Sequence, residues 1–113
     1  MWLPTMREQD RQRQILAAVG SLPGVLAWRN QSGALRNARG QLVRFGSPGS
    51  PDIVVIVAGR FVGLEIKQPG KPLSARQLRW QAACRAAGGV YERVEDAEQA
   101  LAVVRRAARE GSK

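Results

Sequence analysis

The 113-residue sequence predicts a mixed α/β fold, one central sheet flanked by helices, and three observations carry that prediction. Helical periodicity stands at both ends of the chain. Between them, five consecutive β-branched residues, Ile53 to Val57, are followed by a glycine turn and a second strand with a period of two. After that hairpin comes one further helix and then one further strand, an order that builds a layered domain on one sheet.

The elements follow in order. Thr5-Met6-Arg7-Glu8 has the form of a capping box, and Ile15, Leu16 and Val19 recur at helical spacing, which predicts a helix over 5–19 ended by Gly20 and Pro23-Gly24. Val25-Leu26-Ala27-Trp28 reads as a short strand leading into a polar loop, Arg29 to Gly33, and Gly40 to Phe45 (GQLVRF) as a second strand. GSPGSP is a turn-rich entrance to Asp52 and the β-branched run. Ala58-Gly59-Arg60 turns the chain, and the strand Phe61 to Lys67 returns with Phe61, Gly63, Glu65 and Lys67 on one side. Pro69, Gly70 and Pro72 break the pattern. Ser74-Ala75-Arg76-Gln77 is a second capping box, opening a helix that runs to Ala87 and stops at Gly88-Gly89. Val90 to Val94 reads as the last strand, and Asp96 caps a final helix carrying Ala97, Leu101, Val104 and Ala108 at spacings of three and four. The length suits one domain, 1–113.

Composition narrows the chemistry. The formal charge is +9, and it is unevenly placed: twelve Lys or Arg but only two acids, Asp52 and Glu65, lie between Arg11 and Tyr91. A basic body of this kind is suited to a polyanion such as nucleic acid. The sequence has no histidine, which excludes Ser-His-Asp hydrolases, zinc deaminases and histidine-metal nucleases. A single cysteine, Cys84, excludes an internal disulfide framework and reads as a small buried hydrophobe. The opening MWLPTMREQDRQRQ has no long apolar core, so neither a signal peptide nor a membrane anchor is expected there, and a reducing, intracellular setting is the default.

Asp52 and Glu65 stand at matching distances on either side of the Ala58-Gly59 turn, so antiparallel pairing makes them cross-strand neighbours. Two carboxylates so placed repel unless a cation lies between them, and Mg²⁺ accepts one or two carboxylates while keeping several waters. The Ile66 carbonyl offers a further oxygen, and Lys67, on the same face as Glu65, brings an ammonium to the attacking water. Such a set meets the needs of phosphodiester hydrolysis without histidine. The plainer readings are a turn aspartate after proline and a solvated Glu-x-Lys edge pair. Arg29, Arg36, Arg39 and Arg44 on one side and Lys71, Arg76 and Arg79 on the other are expected to grip phosphates, and Asn30 with Gln31 to touch bases. Trp28 and Trp80 are expected in the core or at a subunit contact, and Trp2 at a self-association patch.

The segments G-S-P-G-S-P-D at 46–52, G-R-F-V-G-L-E-I-K at 59–67, L-S-A-R-Q at 73–77 and A-G-G at 87–89 resemble the VRR-NUC family of the PD-(D/E)xK nuclease superfamily. Glu8-x-x-x-Gln12 and Trp28 to Gly33 fit the same pattern, so the resemblance spans nearly the whole chain. It implies a restriction-endonuclease-like core and a Mg²⁺- or Mn²⁺-dependent endonuclease, found in that family both as stand-alone phage or prophage proteins and as modules of larger DNA-repair proteins. By resemblance Asp52 and Glu65 are the metal-binding acids, Lys67 the catalytic lysine, Gln77 the glutamine of the following helix and Glu8 the acid of the first helix. Glu8 and Gln77 have an alternative as capping-box partners of Thr5 and Ser74. The resemblance further implies the cytoplasm of a bacterial host. Together with the twofold symmetry of a four-way junction, it points to a homodimeric Holliday-junction-resolving enzyme. The alternatives are a nuclease for flaps or for sequence-defined duplex sites, and a basic DNA-binding module without catalysis.

Overall fold

The computed structural model describes residues 7–111, so Trp2 and the Thr5 end of the first capping box lie outside the described residues. Its elements are α1 (Glu8–Gly20), β1 (Val25–Arg29), β2 (Gly33–Arg36), β3 (Leu42–Phe45), β4 (Ile53–Val57), β5 (Arg60–Ile66), α2 (Ala75–Ala86), β6 (Val90–Val94) and α3 (Ala97–Gly111). Four strands form a mixed sheet in the order β1-β4-β5-β6. The pairs β1–β4 and β4–β5 are antiparallel and β5–β6 is parallel, because α2 carries the chain back across the sheet before β6 begins.

The β4–β5 hairpin is the centre of this arrangement. Its two-residue turn has φ of 51° at Ala58 and 73° at Gly59, the positive pair that matches the twist of the flanking strands. That turn fixes the register from Val57↔Arg60 to Ile53↔Leu64. Alternation then sends Ile53, Val55, Val57, Val62, Leu64 and Ile66 to one face, where they pack with Ile15 and Val19 of α1 and Ala100, Val104 and Ala107 of α3. The other face carries Phe61, Gly63 and Glu65. There α2 lies over β5 and β6, with the Trp80 ring 6.1 Å from Phe61 and 5.7 Å from Tyr91.

Both later caps form as the residue types predict. The Ser74 side chain accepts from the Gln77 N–H at 3.2 Å while Gln77 Oε1 accepts from the Ser74 N–H at 2.8 Å, and Asp96 Oδ1 accepts from the Gln99 N–H at 2.8 Å. The first helix differs. It begins at Glu8 with an extended Arg7 as its N-cap and no side-chain cap bond, so Glu8 opens the helix instead of standing at its third position.

Three other expectations are corrected. The polar loop after β1 contains a strand, β2, and the Gly40–Phe45 segment is a strand only from Leu42; it pairs with β2 in a separate two-stranded ribbon. Trp28 is 43% exposed, so of the two places expected for it, core or subunit contact, the core is excluded, because β1 is the edge of the sheet while α2 covers the opposite side. Cys84 is half-buried, its thiol directed at the Val90 carbonyl at 3.6 Å, and burial pushes the thiol pKa up. No helix among the described residues is long and apolar enough to cross a membrane.

Candidate active site

Asp52 immediately precedes β4, and one further step of the Ile53↔Leu64 register places it opposite Glu65. Asp52 Oδ2 accepts the Ile66 N–H at 2.8 Å, so its carboxylate occupies the ladder position just beyond the last backbone pair. Glu65 is 4% exposed, the one buried charged side chain among the described residues. Burial, reinforced by the hydrogen bond and negative charge of Asp52, pushes the Glu65 carboxyl up to about 9, against the opposing pull of Lys67 and Tyr91. At neutral pH the Glu65 carboxyl is therefore protonated. The Tyr91 hydroxyl lies 3.3 Å from Glu65 Oε1 and 3.0 Å from the Gly49 carbonyl oxygen; burial and then the Glu65 carboxyl raise its own pKa above the ordinary phenol value.

The GSPGSP segment sets Asp52 in place because it is tied on every side. Asn30 Nδ2 donates to Ser50 Oγ and to the Pro51 carbonyl, both at 2.9 Å, and the Asn30 N–H donates to the Asp52 carbonyl at 2.9 Å. Trp80 Nε1 donates to Ser47 Oγ at 3.0 Å. Pro51 is buried over Gly63, where an added Cβ would come within 2.6 Å of the proline ring. Gly49 has φ of +88°, and a Cβ there would lie 2.6 Å from the Arg76 carbonyl oxygen in the first turn of α2. Gly49→Ala should therefore destabilise the protein by about 2 kcal/mol, read as a fall in Tm of roughly 10 °C by calorimetry. An unchanged Tm would show that the loop is not held against α2.

A cleft of about 310 Å³ opens on this pair, lined by Glu8, Arg11, Asp52, Glu65, Ile66, Lys67, Gln68, Lys71 and Gln77. Asp52, Glu65, Ile66, Lys67, Gln77, Glu8 and Lys71 are thus brought together around one cleft. Gln77 forms the cap through Oε1, and its side chain also lines the cleft, where the amide Nε2 is not used by the cap. Glu8 is exposed at the rim, and among the described residues no three Asp, Glu, His or Cys side chains gather for one ion.

The remaining predicted contacts are dispersed. Arg29 and Asn30 line a neighbouring hollow that reaches Asp52 from the β1 side, where the Asn30 amide donates to Ser50 and Pro51 and anchors the loop. Arg76 and Arg79 line a third hollow beside Pro48 and Trp80. Arg36, Arg39 and Arg44 lie on the exposed β2–β3 ribbon. Arg11, Gln68, Tyr91 and Arg93 were not singled out from the sequence. Arg11 had a signal, its spacing of three from Glu8 on one helix face. Arg93 had none: its guanidinium donates to the Lys71 and Gln68 carbonyls at 2.6 and 3.0 Å, fixing the loop that walls the cleft.

No protein-family model and no curated protein matches the chain.

Proposed function

We propose that this protein is a Mg²⁺- or Mn²⁺-dependent DNA endonuclease of the PD-(D/E)xK type, resembling the VRR-NUC family, that acts on branched DNA as a homodimer. The observation that carries the reading is the facing pair Asp52 and Glu65, in one cleft with Lys67 and Gln77, between basic walls supplied by Arg11 and Lys71. The donor set suits a hard cation. It is made of oxygen alone, the two carboxylates with the Ile66 carbonyl beside them, and two carboxylates are what Mg²⁺ ordinarily takes from a protein. The proton held on Glu65 is the second support, since it marks a site where a second positive charge would be favourable. When bound, such an ion neutralises charge on the phosphate and acidifies the attacking water.

The chain's own residues supply the rest. Lys67, whose backbone N–H is fixed to the Val94 carbonyl at 2.9 Å, directs its ammonium at the attacking water or a non-bridging phosphate oxygen. Gln77 donates from Nε2 at the first turn of α2, where the helix dipole also favours the phosphate. Arg11 and Lys71 hold flanking phosphates, which supplies affinity with little sequence preference. The bare apolar strip of Leu26 and Trp28 on the β1 edge, 64% and 43% exposed, supports the dimer.

Synthetic four-way junctions, flaps and linear duplexes, incubated with Mg²⁺ or Mn²⁺ and with their product ends mapped, test this reading. Paired, symmetric nicks in the junction are expected. Discrete fragments from long duplex DNA would indicate a restriction-like enzyme. No cutting of any substrate with either ion would leave a basic DNA-binding protein.

A further inference from the structure

Among the described side chains, the β2–β3 ribbon contributes none to the core and none to the lining of the cleft. Its two strands pair only with each other, in the register Gly33↔Phe45, Ala34↔Arg44, Leu35↔Val43 and Arg36↔Leu42, and residues 31–44 are all exposed. Opposite partners share a face, so Arg36 and Arg44 lie on one side of the ribbon and Leu35 and Val43 on the other. From Arg29 to Pro51 there are four arginines and no acid, and none of the four has a carboxylate within salt-bridge distance among the described residues. Elsewhere Arg13 pairs with Asp10, and Arg60, Arg85 and Arg93 each pair with a glutamate, whereas the segment that carries the ribbon has no acid of its own to offer. Unneutralised arginines on an exposed ribbon fit a partner that brings the negative charge.

The ribbon is also stiffened at both ends. At the tip, Asn37 Oδ1 accepts the N–H groups of Arg39 and Gln41 at 2.9 and 3.0 Å, and Arg36 Nη1 donates to the Gly40 carbonyl at 2.7 Å. At the root, Gly46 passes so close to Gln31 and Ser32 that an added Cβ would lie 2.6 Å from their atoms. The adjoining Asn30 is bonded to Ser50, Pro51 and Asp52. The bonds that set Asp52 thus also set the direction of the ribbon.

We propose that the β2–β3 hairpin is a duplex-binding arm that lies along a DNA groove flanking the cleft, with Arg36 and Arg44 against the phosphates and Arg39 at the tip. A two-stranded ribbon is one of the two shapes that the major groove of B-DNA admits. The arm's place next to the scissile strand rests on the nuclease reading, whereas its binding of duplex does not.

The test is a salt titration of binding, by fluorescence anisotropy on duplex and single-stranded DNA without divalent ions. It uses wild type, the double variant Arg39→Gln/Arg44→Gln, and a chain with residues 34–44 replaced by a short Gly-Ser turn. Each lost phosphate contact should lower the slope of log K against log [salt] by about 0.9 on duplex. The double variant should bind duplex roughly tenfold more weakly, with single-strand affinity and Tm unchanged, and the loop replacement should go further in the same direction. An unchanged duplex slope in both variants overturns the proposal. So does a fall in sedimenting mass for Leu35→Ser/Val43→Ser with the duplex slope intact, which would make the ribbon a contact between copies of the chain. Cleavage separates the two readings: a changed slope in a protein that never cuts DNA keeps the arm and removes the nuclease. Lys67-dependent cutting with an unchanged slope does the reverse.

Discussion

Lys67→Ala should leave DNA affinity and Tm close to wild type and reduce the cleavage rate at saturating DNA by about 10²–10⁴-fold. The separation of effects follows from where the residue is held. Its tie to the sheet is the backbone N–H bonded to Val94, which alanine keeps, and the side chain is half-exposed at the cleft instead of packed in the core. Single-turnover cleavage of a junction in Mg²⁺, set beside anisotropy binding in its absence, reads the two quantities independently. An equal loss of binding would mean that Lys67 is a phosphate contact and not part of the reaction. Residual cleavage within a few-fold of wild type would remove it from the chemistry altogether.

Glu65 yields the second large effect, and it is read as pH dependence. Its carboxyl is raised from 4.5 to about 9, so between those values the folded metal-free chain holds a proton that the unfolded chain has released. Stability is then fully present below pH 4.5 and is lost progressively as pH rises towards 9. Thermal unfolding in a chelator should show Tm falling across this window, and Glu65→Gln should flatten the profile while abolishing cleavage. Added Mn²⁺ should reverse the trend, because an ion held by Asp52 and Glu65 would compete with the proton and would bind more tightly as pH rises. A wild-type profile as flat as that of the glutamine variant would show that Glu65 is ionised in the metal-free protein.

The centre of the fold and of the site was legible because it rests on local chemistry. Five β-branched residues, a two-residue turn and an alternating return strand admit one register, and that register alone sets Asp52 against Glu65 and carries Lys67 to the same cleft. Gln77 was legible for a different reason, as the reciprocal partner of Ser74 in a helix cap. The ribbon was only half legible. Gly33-Ala34-Leu35-Arg36 contains no β-branched residue, and what makes it a strand is its pairing with Leu42–Phe45 and the Asn37 bonds across the tip. The exposure of Trp28 was hidden too, since an apolar strand reads alike at the edge or the middle of a sheet and the order β1-β4-β5-β6 is set by long-range pairing. Tyr91 and Arg93 reach the site only because β6 lies parallel to β5, a neighbour relation that local sequence does not carry.

The hydrogen bond from the Ile66 N–H to Asp52 gives the acid at position 52 a structural task that stands apart from the metal-binding one proposed for it. If the protein is the nuclease proposed above, a descendant that gave up cutting DNA but kept binding it would be free to lose Lys67, yet it would still need an acceptor oxygen at position 52 to finish the end of β5. Asparagine meets that need and alanine does not, so drift away from catalysis has an easier exit through the lysine than through the aspartate.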